Sequence, residues 1–274
     1  MTQFRPSRFE ILPTVIKNLV IINSLFFLAD KTIGGSDIFN MVDVLALHHV
    51  KSPLFQPWQL VTHMFMHGSI MHLVGNMFAL WMFGSVLENL WGPKRFITFY
   101  FLCGIGAAVI HLAFLWYDYS NLLNAFVYIK QSPSVDKIVS FFEQYQLQRF
   151  QGASEVLQTY VANPTDTMAT QNVVGLISEF ANATVSTPTV GASGAVFGVL
   201  AAFIYLFPNT EIYLYFLFPI KAKWLGLIYF GYEIFAAVQN SAGDNIARWA
   251  HIGGGLVGFL LVLTWNRKKR RKMY

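Results

Sequence analysis

The sequence predicts an all-α, polytopic membrane protein, and three observations carry that prediction. Of 274 residues, 55% are hydrophobic and 12% charged, against roughly a quarter charged in an average soluble domain. Six apolar segments, near residues 14–31, 69–90, 96–117, 192–208, 222–240 and 247–265, have the length of about 17–25 residues that spans a bilayer. Turn-forming residues separate most of them: Gly92-Pro93-Lys94-Arg95 after the second, Pro208-Asn209-Thr210 after the fourth, and Asn240 to Asn245 after the fifth.

The segments can be justified in order. Met1 to Pro13 is polar, contains Arg5, Arg8 and Glu10, and shows no cleavable signal peptide, so the first apolar segment is expected to remain as an anchor. Residues 32–68 form a mixed loop in which Leu54-Phe55-Gln56-Pro57-Trp58 suggests a segment at the membrane interface. The second span carries His72 and Asn76, and the third carries His111 and the lone Cys103, which cannot form an internal disulfide. Residues 118–190 are too long for a bare connector. Val135, Ile138, Val139, Phe142, Tyr145 and Phe150 recur there at helix-like intervals, so this outer-face insertion is expected to be partly helical. The fourth, fifth and sixth spans follow with short connections.

Six spans put both termini on one side. With that side cytoplasmic, it holds 13 of the 19 Lys and Arg residues, including Arg5, Arg8 and the run from Arg267 to Lys272. The net charge of +5 therefore reflects membrane topology, and nucleic acid is not an expected partner. The basic tail and the N-terminus without a presequence point to a bacterial inner membrane.

In this topology the second, fourth and sixth spans run in parallel. Ser193, in Gly191-Ala192-Ser193-Gly194-Ala195, and His251, in Ala250-His251-Ile252-Gly253-Gly254-Gly255, then lie near the outer ends of two parallel helices. The fourth span is short: about 15 helical residues cover about 22 Å at 1.5 Å per residue, less than the roughly 30 Å hydrocarbon core. That places the serine below the membrane surface, in a recess that can hold water. A helix start leaves backbone N–H groups free to stabilise an oxyanion, and a histidine can take the serine proton and return it to a leaving amine. Gly254 and Gly258 have the spacing that lets helices approach closely. Small residues also pack membrane helices without chemistry, and a histidine can simply cap a helix, so these two motifs alone leave that reading open.

His72 and Asn76 lie one turn apart on one face of the second span, at the same depth. Buried polar side chains are expensive in lipid and face the bundle interior. Both can donate hydrogen bonds to an oxyanion.

Jointly these motifs resemble the rhomboid intramembrane serine proteases, over the six-span unit but not the insertion 118–190. Gly191 to Ala195 is similar to the family's Gly-x-Ser-Gly nucleophile motif, Ala250 to Gly254 with Gly258 to its histidine and glycine motif, and His72 to Asn76 to its histidine–asparagine element. Trp58 to His67 resembles its first loop, although Gln59 stands where many members have arginine. The resemblance implies a six-helix rhomboid-like bundle and a Ser193–His251 dyad without an acidic third member. It implies an oxyanion hole of the Ser193 N–H, His72 and Asn76, with Phe197 packed on the imidazole and Gly191, Gly194, Gly254 and Gly258 in support. Substrates would be single-span or polytopic membrane proteins met within the bilayer, and no cofactor or metal is implied. A catalytically inactive relative that binds membrane clients is the alternative; its usual mark, a lost serine or histidine, is absent. A channel or transporter is disfavoured because charges do not line several spans.

Other polar residues have plainer expectations. His63 and His67 are spaced like metal ligands, but Met64 stands where His-Glu-x-x-His needs its glutamate, so loop-structuring hydrogen bonds are expected instead. Glu233 in the fifth span is expected to be a satisfied or protonated structural glutamate, or to tune the lateral gate that the resemblance ascribes to this helix. Glu88 and Arg95 are expected to pair across Gly92, and His111 to pack with a hydrogen bond.

Overall fold

The computed structural model describes residues 9–33, 35–36, 39–214, 218–239 and 247–270. Arg5, Arg8, Arg271, Lys272 and the turn expected at 240–245 lie outside them.

Helix α1 (Thr14–Thr32) is followed by a two-residue hairpin, β1 (Gly35–Ser36) with β2 (Phe39–Asn40), and the short helices α2 (Met41–Leu45) and α3 (Gln59–Thr62). Helices α4 (Ile70–Ala79) and α5 (Ser85–Trp91) form one rod through a wider π turn at Leu80–Gly84. After Gly92 the chain reverses into α6 (Pro93–Gln131), where Pro93 opens the helix at a position that needs no N–H donor.

The third span was expected to end near residue 117, but α6 continues to Gln131. At 1.5 Å per residue it is about 58 Å long, nearly twice a bilayer core of about 30 Å. Its last turns belong to residues 118–190, the segment expected to be an insertion. There α7 (Val135–Gln144), α8 (Ala153–Ala162) and α9 (Thr167–Ser186) gather around an apolar core of their own. Leu122 and Ile129 of α6, Ile138 and Phe142 of α7, Tyr160 of α8 and Val173 and Ile177 of α9 meet in it. The helical periodicity read at Val135–Phe142 is the buried face of α7. Burial of that shared face, rather than local propensity, is what holds such short helices.

The main core lies elsewhere. It joins α1, α4–α5, α6 and α10 (Ser193–Leu206), with Phe96, Phe99, Tyr100, Met64, Leu80 and Val199 fully enclosed. A hairpin, β3 (Glu211–Leu214) with β4 (Phe218–Lys221), replaces the simple turn expected after Pro208. Helices α11 (Ala222–Gln239) and α12 (Arg248–Arg270) complete the chain.

Among the described residues, three helices are long and apolar enough to cross a membrane: Ile70–Trp91, Pro93–Gln131 and Arg248–Asn266. Helix α10, at 14 residues, is apolar but shorter. Helix α1 carries Lys17, Asp30 and Lys31, and α11 carries Lys223 and Glu233, which lowers their hydropathy.

The expected Glu88–Arg95 pair does not form. Both Glu88 carboxylate oxygens accept backbone N–H groups at the start of α1, from Val15 and Ile16, each at 2.9 Å. Pro13 provides no side-chain cap there, so a carboxylate from another helix fills the role, at the end where the helix dipole favours negative charge. Arg95 instead lies over the Trp265 ring, 4.3 Å from its centroid. Replacing Glu88 with Ala is expected to destabilise the protein by about 1.5–3 kcal/mol, the range for buried hydrogen bonds to a charged group. Thermal unfolding in detergent reads this as a lowered Tm, whereas Arg95→Ala leaves the α1 cap intact.

Candidate active site

The site begins with a contact between two backbones. A Cβ on Gly254 would run into the Gly194 carbonyl, and one on Gly258 would sit 2.5 Å from the Gly198 carbonyl oxygen. Glycine at both α12 positions lets this helix press so closely on α10, while a Cβ on Gly194 or Gly198 would first meet Ala107 or Cys103 of α6. The crossing lies just below Ser193, the first residue of α10, and His251, the fourth residue of α12.

Ser193 Oγ lies 2.9 Å from His251 Nε2. The Phe197 ring, one turn along α10, stacks on the imidazole at a centroid distance of 4.2 Å and an interplanar angle of 8°. Tyr229 and Phe230 of α11 pack in turn on Phe197, at 5.0 and 5.5 Å. His251 is buried, while Ser193 keeps partial exposure, so the hydroxyl is reachable and the imidazole is held.

The resemblance implied no acidic partner for this histidine. The structure places one: Glu233 Oε2 lies 3.1 Å from His251 Nδ1, and Arg248 Nη1 reaches the same oxygen at 3.4 Å. A carboxylate only accepts, so Nδ1 carries the proton and Nε2 is left to accept from the Ser193 hydroxyl. Residue spacing could not reveal this, because Glu233 and His251 sit on different helices and their registry follows from packing.

The segment before Ser193 is tied down by the first loop. Leu47 and Thr189 exchange backbone hydrogen bonds at 2.9 and 2.8 Å, and the Gly191 N–H donates to the His63 carbonyl at 2.9 Å. Thr189 Oγ1 also bonds His111 Nε2 at 3.0 Å, the hydrogen bond expected of that histidine. Gly191 has φ +128°, a region that disfavours any side chain. A Cβ there would be 2.8 Å from the His72 imidazole and 3.6 Å from Ser193 Oγ, so the His72 ring lies against this backbone beside the serine.

Ser69 caps α4 by accepting the His72 N–H. One turn further, Asn76 is buried, and its Nδ2 has no hydrogen-bond partner among the described residues. An unsatisfied buried donor in a helix interior calls for an explanation.

Gln59, the departure from the family pattern, organises the first loop. Its Nε2 donates to the carbonyls of Leu54, Asp43 and Val44, at 2.9, 3.3 and 3.3 Å. Its Oε1 accepts from the His48 and Gln56 N–H groups at 3.3 and 3.1 Å. The neutral amide ties five backbone groups that no single aliphatic side chain could satisfy. His63 Nδ1 donates to the Gln59 carbonyl at 2.7 Å, and the His67 ring meets His72 edge-on at 5.1 Å. These two histidines therefore serve different neighbours.

A helical membrane protein with a serine and a histidine joined at the crossing of two glycine-faced helices is the class that this fold and site define. The family model for the rhomboid domain matches residues 54–128 and 138–268, and the chain belongs to the rhomboid family. The matched residues include 138–190, most of the insertion that the motif resemblance did not cover. RHOMBOID-like protein 12, mitochondrial, of Arabidopsis thaliana is 25% identical over 256 residues, 93% of this chain and 59% of that protein. Rhomboid protein 1, mitochondrial, of Saccharomyces cerevisiae is 27% identical over 203 residues, 72% of this chain and 38% of that protein. Rhomboid protease GluP of Bacillus subtilis is 29% identical over 90 residues, 33% of this chain and 18% of that protein. The chain thus spans 59% or less of the length of these relatives.

Burial gives the first loop a pH dependence. It lowers the pKa of His63 from 6.5 to about 4, against the raising effect of the bond to Gln59. Burial, then the neighbouring His72, lowers that of His67 to about 4. The unfolded chain binds these protons near pH 6.5 and the folded protein only near 4, so between those values the unfolded state holds more protons. Their contribution to stability is complete above 6.5 and declines as pH falls through this window. Thermal unfolding across pH should show Tm dropping from pH 6.5 toward 4, with a shallower drop in His63→Gln.

Proposed function

We propose that this chain is an intramembrane serine endopeptidase cutting transmembrane segments of other membrane proteins. The observation that carries the reading is the 2.9 Å contact between Ser193 Oγ and His251 Nε2, with Phe197 stacked on the imidazole. Membership of the rhomboid family supports an intramembrane protease-type activity, and one relative is named a rhomboid protease.

Ser193 is the nucleophile and His251 the general base that later protonates the leaving amine. The oxyanion hole is the Ser193 N–H with His72 and Asn76. Support comes from the open first turn of α10, from the His72 ring beside Gly191 and from the unpartnered Asn76 amide. Gly191, Gly194, Gly254 and Gly258 hold the backbones close enough for these groups to converge. A helical substrate has its peptide bonds shielded by its own hydrogen bonds, so segments weakened by Gly or Pro are the expected targets.

The bundle is read as six spans: α1, α4–α5, α6, α10, α11 and α12. The insertion then lies on the outer face and both termini are cytoplasmic, as the Lys and Arg distribution favours. The relatives named mitochondrial weigh against the bacterial plasma membrane expected from the sequence; integral membrane residence is what the family supports.

The test is cleavage of a single-span substrate by purified protein in liposomes. Ser193→Ala and His251→Ala should each lose at least about a thousandfold in rate, and the double variant should be no worse, since the two act as a unit. Equal cleavage by wild type and Ser193→Ala would sink the proposal, and a folded wild type that cuts nothing would favour the inactive client-binding alternative. Asn76→Ala should lower kcat by about 10²–10³-fold with little change in KM, the loss expected on removing one oxyanion donor.

A further inference from the structure

We infer that Glu233 is the third member of a Ser193–His251–Glu233 triad, a positioning residue that holds His251 ready to take the serine proton. The inference rests on the proposed protease activity and adds a residue that the Ser–His motifs do not contain.

The geometry assigns this role through the imidazole's two nitrogens. Nε2 faces Ser193 Oγ at 2.9 Å and Nδ1 faces Glu233 Oε2 at 3.1 Å. The carboxylate residue is 3% exposed and the histidine 9%, so water cannot substitute freely for either contact. In such surroundings a hydrogen bond to an ionised acceptor is directional and stronger than a neutral one. Phe197 covers one imidazole face, so the ring is held at its plane and at both nitrogens. Helix α11 contributes the carboxylate together with Tyr229 and Phe230 behind Phe197. Arg248, one turn before His251, brings positive charge to the same carboxylate oxygen and lies 5.3 Å from the Tyr232 ring. A buried carboxylate without such compensation would be costly.

The proton bookkeeping follows. As Ser193 Oγ adds to the scissile carbonyl carbon, its proton passes to Nε2 and the carbonyl π pair moves onto oxygen. The imidazolium so formed lies beside the Glu233 carboxylate, which keeps accepting the Nδ1 proton and is not itself protonated. Collapse of the tetrahedral intermediate expels the amine, which leaves with the Nε2 proton. Water then attacks the acyl ester, gives a proton to Nε2, and the Ser193 oxygen recovers it on release. Without Glu233, the ring can adopt the other tautomer, with Nε2 protonated and unable to act as base.

A structural glutamate, or one that only affects movement of α11, would behave differently toward a small probe. The experiment measures the rate at which a soluble fluorophosphonate modifies Ser193 in the full-length protein, alongside substrate cleavage. Glu233→Gln should slow labelling by on the order of a hundredfold or more, and lower kcat with little change in KM. Glu233→Asp should retain more of the rate than Gln. Glu88→Gln, which alters a buried carboxylate on the start of α1 and away from His251, should label within severalfold of wild type. If Glu233→Gln labels as fast as wild type, or Glu88→Gln is slowed as much as Glu233→Gln, the triad is overturned.

A measurement on the wild type needs no variant at Glu233 to fold. The ¹⁵N signals of the histidine that disappear in His251→Gln should report a protonated Nδ1 and a free Nε2 at neutral pH; the opposite tautomer would overturn the inference. A folded wild type that the probe does not label at Ser193 would instead defeat the protease reading itself.

Discussion

The structure depends on the backbone crossing of α10 and α12. Gly254 and Gly258 of α12 face the Gly194 and Gly198 backbone of α10, and Cβ atoms added to the α12 pair would strike those carbonyl groups. In a bilayer, lipid supplies no hydrophobic drive to press two helices together, so close van der Waals packing through small residues must hold them. The separation of Ser193 from His251 is set by that crossing. A wider one would leave the two side chains out of hydrogen-bond reach, whatever else the bundle preserved.

Around this crossing, neighbouring elements fix the remaining freedoms. Helix α11 brings Glu233 to the second nitrogen of His251 and its aromatic residues behind Phe197. The first loop fastens the strand before Ser193 through Leu47 and His63, and Gln59 fastens that loop. Ser193, His72 and His251 lie close to helix starts, whereas Asn76 and Glu233 sit further along α4 and α11. Residues 118–190 enter these contacts at Thr189, near their C-terminal end. Their helices enclose a separate apolar cluster and join the site through α6 and through Thr189, the residue held by both Leu47 and His111.

Some polar groups in this fold are satisfied by distant partners even where a near one is at hand. Glu88 lies seven residues from Arg95, close enough for a pair to be expected. It reaches 73 residues back to Val15 and the start of α1 instead. The reason is the cost of an unpaired backbone donor: N–H groups at a largely buried helix start with no local cap demand an acceptor, while Arg95 can lie on the face of Trp265. Gln59 follows the same logic. In the sequence it is only a departure from a familiar pattern; in the fold it answers five backbone groups.

The sequence by itself determined the apolar segments, the order of the helices and the residue types that could do chemistry. These are local properties: span length, small-residue spacing and a serine or histidine near a helix start are written in consecutive positions. The helical character of 135–142 was legible for the same reason. What the tertiary structure decided was partnership. That α6 runs on to Gln131, that Glu88 caps α1, and that Glu233 meets His251 all depend on how helices distant in sequence register against one another. That register is set by packed volume and by the demand to satisfy buried donors, neither of which leaves a periodic mark along the chain.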